Sequence, residues 1–356
     1  MQKKKTRFSF AFSPLICIFA SGMLQGHGDD TYHYKDVRTN FSSNIFAHAD
    51  LSGLKTFLAS RLDVIARYPE PEACSLEAMI ARREDIPAEC VLVTNGATEA
   101  IYLIAQMLSA DGVRHCHIPQ PTFSEYRDAC RMFGLTESPD GVLWLCNPNN
   151  PTGRVYPRTS YLAPRTSPII LDQSYEHFTL CPVMTAAEAV SRGDVIQIHS
   201  LTKTYAVPGL RLGYIVASAE WIGKLRRLMR PWSVGALAVE AGKWLMAHGR
   251  EAVADVPSYL AETRRLRDAL NAVPGIHVLP TDTCFMLATI GVRTAAELKD
   301  YLAWKHGMLI RDASNFEGLT PHHFRVSTQL PAENDQLVAA VQDFCENSGS
   351  GEIDGL

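Results

Sequence analysis

The sequence predicts an α/β protein whose large unit is a mostly parallel sheet flanked by helices, followed by a smaller α/β unit. Three observations predict it. Short apolar runs of strand length alternate with helical or loop stretches between residues 90 and 217, the pattern of a sheet covered on both faces. After Pro274 the runs shorten and the pattern changes, which marks a second unit. The 356 residues, 46% apolar and 20% charged, suit a large folded core rather than a disordered or fibrous chain.

Residues 1–22 carry a basic stretch and then a short apolar run. This is signal-like and too short for a comfortable transmembrane helix. The alternative is a dispensable segment ahead of a start at Met23, which the cysteine usage and the chemistry below favour. Residues 23–50 read as an N-terminal arm, polar and His-rich with no clean period. Residues 51–66 have helical spacing at Leu54, Phe57, Leu58, Leu62 and Ile65, and stop at Tyr68-Pro69-Glu70-Pro71. A second helix begins at Ser75.

Residues 90–93 form a strand that runs through the Gly96 turn into a helix with Ile101, Ile104, Ala105 and Leu108 on one face. Such a junction suits an anion, because the first helical N–H groups are unpaired and the dipole is positive there. Further strands are expected at 115–118, 142–146, 169–171, 195–198 and 212–217, and ligands bind at the carboxyl ends of such strands. Residues 222–244 read as one or two helices broken at Pro231. The large domain is expected over 51–230 and the small one over 231–347. The latter has strands at 276–279, 284–289, 308–311 and 324–328, a helix over 295–306 and a closing helix over 333–347. Residues 348–356 are Gly/Ser-rich and acidic and read as a disordered tail.

A formal net charge of −4 leaves no basic footprint and argues against nucleic acid as a partner. Nine cysteines at irregular spacings, with no C-x-x-C pair, suit reduced thiols in a cytosolic enzyme. His115-Cys116-His117 and His322-His323 lack partners at metal spacing, so no metal is expected.

The chemistry gathers in His199 to Gly213, HSLTKTYAVPGLRLG. Lys203 is flanked by Ser200, Thr202 and Thr204, and Arg211 stands eight residues on. A lysine that is to condense with an aldehyde needs a short, immobile segment, while hydroxyls and a guanidinium suit a phosphate ester. Together they suggest pyridoxal 5'-phosphate. Three signals join it. The turn-rich NPNNPTG, 147–153, presents the proline-enclosed Asn150 as an amide donor. Asp172 ends a strand with Tyr175 three residues later, and a buried carboxylate needs a cation such as a protonated pyridine nitrogen. Phe123, after Pro121-Thr122, offers a ring to stack on.

In this order the motifs resemble the fold-type I pyridoxal-phosphate enzymes of the class I/II aminotransferase superfamily, over about residues 26–344. The resemblance implies an aspartate-aminotransferase-like fold with a large cofactor domain and a smaller α/β domain. It implies that Lys203 carries the cofactor, Asp172 pairs with its pyridinium, and Asn150 and Tyr175 hold its phenolic oxygen. Ala97, Thr98, Ser200 and Arg211 would hold the phosphate, Thr202 would also bind the cofactor, and Phe123 would stack on the ring. Tyr68 would reach the phosphate in a neighbouring subunit, implying a homodimer with shared active sites.

Within the superfamily, His27-Gly28, NFSSNI (40–45) and IRDASNFEGLTPHHFRVS (310–327) are similar to threonine-phosphate decarboxylases of cobalamin biosynthesis and to histidinol-phosphate aminotransferases. That likeness implies a small phosphorylated amino acid as substrate, with His27, Asn44, Arg311 and Arg325 as its ligands. Two departures bear on the substrate: HGDD stands where HGGN is usual, and NFSSNI lacks the following Asn-Pro. Two carboxylates near a phosphate would repel it unless they point away. The same residues serve decarboxylation and transamination, so the resemblance alone chooses between them. A cofactor-binding regulator lacks an attached basic module here, and a secreted binding protein would not need the complete cofactor set.

Overall fold

The computed structural model describes residues 29–162, 167–249 and 255–347. The predicted runs become the strands of one seven-stranded sheet. Ahead of it come strand β1 (Thr39–Asn40) and helices α1 (Ser52–Ala59) and α2 (Cys74–Glu84). The single helix predicted over 51–66 stops at Ala59 and gives way to a 3-10 turn, Leu62–Ala66. Leu62 and Ile65, counted into its apolar stripe, are exposed, so no packing continues the helix.

The sheet is then laid down by β2 (Val91–Thr94), α3 (Gly96–Ala110), β3 (His115–His117), α4 (Glu125–Met132), β4 (Thr136–Glu137), β5 (Val142–Cys146), β6 (Ile169–Asp172), α5 (Ala186–Arg192), β7 (Val195–Ser200), the one-turn α6 (Leu201–Thr204) and β8 (Gly213–Val216). Its order is β2-β8-β7-β6-β5-β3-β4. Only β8 runs against its neighbours, so the sheet is mostly parallel, as expected. Every residue of β2, β5, β6, β7 and β8 is buried, which is why these strands read as unbroken apolar runs rather than alternating ones.

The helical run past residue 218 is broken around Pro231 into α7 (Ala219–Arg226) and α8 (Ala236–His248). The boundary expected at 230/231 falls ahead of α8, whose Ala241 and Leu245 share a buried cluster with Leu76, Ile80, Val91 and Tyr214. The helix thus packs against the large sheet.

The smaller unit consists of α9 (Val256–Asn271), β9 (Ile276–Val278), β10 (Phe285–Ile290), α10 (Ala295–His306), β11 (Met308–Leu309), β12 (Arg311–Asp312), β13 (His323–Ser327) and α11 (Pro331–Asn347). Four of its strands make an antiparallel sheet, β12-β13-β10-β9. Helix α10 is framed by a Thr294/Glu297 capping box and a left-handed Gly307, the signals that end helices in sequence. The arm belongs to this unit: β1 pairs in parallel with β11 and Phe41 is buried in the small core.

Loop 147–155 also docks on the smaller unit. The Asp282 backbone N–H donates to Gly153 O (2.9 Å), Val155 N–H donates to Asp282 Oδ2 (2.9 Å), and Arg154 pairs with the same carboxylate (3.2 Å). Gly153 is left-handed, and a Cβ there would collide with Thr281 and the Phe285 carbonyl.

Among the described residues no helix is long and apolar enough to cross a membrane. The cysteines described are all free thiols. The signal-like segment 1–22 and the tail 348–356 lie outside the described residues.

Candidate active site

The strand ends open into a cleft of about 390 Å³ lined by both units. Lys203 stands in α6, just past the end of β7, and its Nζ donates to Ser43 O of the arm at 3.0 Å. Burial, helped by the positive Arg325 and Arg211, lowers its pKa to about 8 against the pull of Asp29 and Asp172. About a tenth of the amine is then neutral at pH 7, against a vanishing fraction for an ordinary lysine.

Asp172 closes β6, in register with Ile198 of β7. It accepts hydrogen bonds from Tyr126 OH (2.7 Å) and the Ser174 backbone N–H (2.8 Å). Burial nevertheless outweighs these bonds and the His199 charge, and pushes its carboxyl up. A buried carboxylate in that state gains from a cation placed against it.

The N-terminus of α3 and Arg211 are brought together by two glycines. A Cβ on Gly96, which is left-handed, would lie 2.7 Å from Arg211 Nη2, and one on Gly213 would lie 2.6 Å from Ala97 N. The guanidinium therefore reaches a helix end whose Ala97 and Thr98 line the cleft, where unpaired N–H groups and the dipole favour an anion. Ser200 and Thr202 line the same cleft, and Thr202 Oγ1 donates to Leu212 O at 3.4 Å.

From the smaller unit, Arg311 and Arg325 face each other across the β12–β13 pair. Both are buried, and like charges directly opposed in a sheet destabilise it. Burial lowers the pKa of each, that of Arg325 to about 10 with Arg311 contributing. An anionic guest would relieve both costs through bidentate hydrogen bonds. Arg311 Nη2 donates to Asn315 Oδ1 (2.8 Å), while Arg325 donates to Asn150 Oδ1 and Ser42 O. The Arg325 contact turns the Asn150 oxygen toward the guanidinium, which leaves Nδ2 as the donor side of that amide.

Tyr175 is buried with its ring edge-on to Phe285, centroids 4.8 Å apart, and burial raises its hydroxyl pKa, keeping it a neutral donor. Phe123 lines the cleft, edge-on to Tyr126 at 5.8 Å.

One fold thus gathers Ala97, Thr98, Phe123, Asn150, Asp172, Tyr175, Ser200, Thr202, Lys203, Arg211, Arg311 and Arg325 around one cleft. Two expected residues that the structure describes are not among its walls. Asn44 is fully buried and left-handed, and its neighbours Ser43 and Ile45 line the cleft instead. Tyr68 is 85% exposed beside Trp232, centroids 5.3 Å apart. His27 lies outside the described residues.

The HGDD departure divides in two. Asp30 turns away into an ion pair with Lys299, whereas Asp29 lines the cleft and accepts from Asn40 Nδ2 at 3.1 Å. Sequence reading missed the Ser43 carbonyl, Tyr126, Asn315 and the Arg127–Glu317 ion pair that joins α4 to the small unit. A backbone carbonyl leaves no sequence signal. Tyr126, by contrast, stands three residues after Phe123 and was within reach.

The aminotransferase class I and II family profile matches residues 133–341. The chain is 31% identical over 337 residues to the threonine-phosphate decarboxylase of Salmonella typhimurium, covering 86% of this chain and 91% of that one. It is 30% identical to a histidinol-phosphate aminotransferase of Desulfitobacterium hafniense over 309 residues, covering 78% and 84%. The crystal structure of L-threonine-O-3-phosphate decarboxylase from Porphyromonas gingivalis superposes with a TM-score of 0.81 at 38% identity, over 86% of this chain and 99% of that one.

Proposed function

The chain belongs to the class I and II aminotransferase family, and from that premise we propose that it decarboxylates L-threonine O-3-phosphate to (R)-1-aminopropan-2-yl phosphate, a step of cobalamin biosynthesis. It is a pyridoxal-phosphate-dependent enzyme of fold type I. The residues fit the cofactor: a buried carboxylate pushed up by burial suits a pyridinium, and the glycine-cleared junction of Arg211 with α3 suits a phosphate. When bound, the cofactor supplies an electron sink for the bond broken at Cα.

Ala97, Thr98, Ser200, Thr202 and Arg211 would hold the phosphate. Asp172 would hold the ring nitrogen protonated, Asn150 and Tyr175 would donate to the phenolic oxygen, and Phe123 would cover the ring. Arg311 and Arg325 would grip the substrate's phosphate and carboxylate. Carbon dioxide leaves as the Cα–carboxylate bond breaks, and Lys203 Nζ returns a proton to Cα. The observation that carries the substrate class is the buried cross-strand pair Arg311–Arg325, which suits a guest with two anionic groups.

Arg311→Gln is expected to lower kcat/KM for phosphorylated substrate about ten- to a hundredfold, the scale of a charged hydrogen bond, and to leave an unphosphorylated amino acid unaffected. An equal effect on both would remove Arg311 from the phosphate site. A second reading, transamination of histidinol phosphate or a related amino acid, is favoured by Asp29, whose carboxylate on the cleft wall disfavours a multiply charged anion.

The experiment that separates them gives the loaded enzyme O-phospho-L-threonine with and without 2-oxoglutarate. Carbon dioxide released without the oxo-acid supports the decarboxylase, whereas glutamate formed from histidinol phosphate without such release overturns it. The exposed Tyr68 supports a homodimer in which it reaches the partner's site, and the free thiols support a cytoplasmic enzyme.

A further inference from the structure

Beneath the cleft, on the other face of the large sheet, lies a set of buried polar groups that the chemistry above leaves unused. Side chains of β7 alternate between faces. Ile196 and Ile198 join the core under α3, so Gln197 and His199 face the other way. His199 is buried, with Nδ1 2.6 Å from Glu176 Oε1 and Nε2 3.3 Å from Gln197 Oε1. Its ring stacks on Tyr214, centroids 4.6 Å apart and planes 8° from parallel. The first of these contacts has the length of a charge-assisted bond.

Each partner supports the other's charge. Burial works to lower the His199 pKa, but Glu176 outweighs it and the net shift is upward; burial works to raise Glu176, but His199 outweighs it and the net shift is downward. His177 and Arg83 also favour the Glu176 carboxylate, while Glu84 and Asp172 add to the His199 charge. The result is a partly buried ion pair whose two members do not line the cleft.

Position gives the pair its meaning. Glu176 lies four residues past Asp172, on the chain leaving β6, and His199 lies four residues before Lys203, at the penultimate position of β7. The two strand exits are also joined by Gln173 N–H to Ile198 O (2.8 Å), by Gln197 Nε2 donating to Gln173 Oε1 (2.7 Å) and by the His177 Nδ1–Thr204 Oγ1 contact (3.4 Å). We propose that Glu176 and His199 are positioning residues, an ion pair that fixes the strand ends carrying Asp172 and Lys203 relative to each other and presents its positive end to Asp172. This rests on the pyridoxal-phosphate reading of the cleft.

The test follows the pH titration of the long-wavelength absorbance of the cofactor-loaded protein, together with cofactor release. His199→Phe keeps a ring against Tyr214 but strands Glu176 without its cation, which threatens folding. The double variant Glu176→Gln with His199→Phe removes both charges and avoids that. In either variant, loss of the positive end makes the site more negative, so protons are held more tightly. The absorbance midpoint is expected to rise by about half a unit or more, more in the single variant than in the double, with release about tenfold faster. A folded double variant with the parent's midpoint and release rate, whatever its melting temperature, would overturn the proposal and reduce the pair to packing. Failure of the cofactor reading looks different: the parent itself would show no long-wavelength band.

Discussion

Lys203→Ala is expected to lower kcat by at least about a thousandfold, since it removes both the proposed point of cofactor attachment and the proposed proton carrier. Its second signature is a pH dependence. Only the neutral amine attacks an aldehyde, and burial holds the Lys203 pKa at about 8. Cofactor attachment to the parent, followed by absorbance, should therefore quicken as pH rises and level off above about 8. The variant should show no such phase. Turnover within tenfold of the parent would refute the role, and a plateau reached only above pH 10 would refute the lowered pKa.

Asp172→Asn should cost about a hundred- to a thousandfold in kcat, the scale of removing one preorganised electrostatic partner, while leaving cofactor bound through its phosphate. Stability should move in opposite directions in the two forms. A carboxyl whose folded pKa lies above its unfolded value costs stability at any pH above both, and burial raises Asp172 in this way. The cofactor-free variant should thus melt no lower than the cofactor-free parent at pH 7. Once loaded, the parent gains a cation against that carboxylate and the variant does not, so the variant should melt lower. Calorimetry of both forms checks the sign, and a variant that melts lower in both would sink the argument.

The large sheet was legible because buried parallel strands are unbroken apolar runs: residues 142–146 were bounded correctly, and 169–172 was missed only by its polar last residue, Asp172. Helix 295–306 was read to the residue because Thr294, Glu297 and Gly307 mark its ends. Helix α9 was not foreseen. Its apolar stripe, Tyr259, Leu260, Leu266 and Leu270, is interrupted by Arg264, Arg265, Arg267 and Asp268, and the run reads as polar. At the site, residues within a distinctive motif were legible, whereas contacts made through the backbone, and pairings between positions far apart in sequence, were not. Nothing in sequence announces that Ser43 offers its carbonyl to Lys203, or that Arg127 meets Glu317 from 190 positions away.

The docking of loop 147–155 on the smaller unit has a mechanical consequence. Asn150, proposed to hold the cofactor ring, accepts a hydrogen bond from Arg325, proposed to hold the substrate, and the same loop is pinned three residues on by Thr281 and Asp282. In those proposed roles, ring and substrate would be aimed from a single mount. On that proposal, which bond at Cα is broken would depend on the bearing of the Arg325 guanidinium on the Asn150 amide. A lineage could pass between losing carbon dioxide and losing a proton by re-aiming that mount, with every group that does the chemistry left in place.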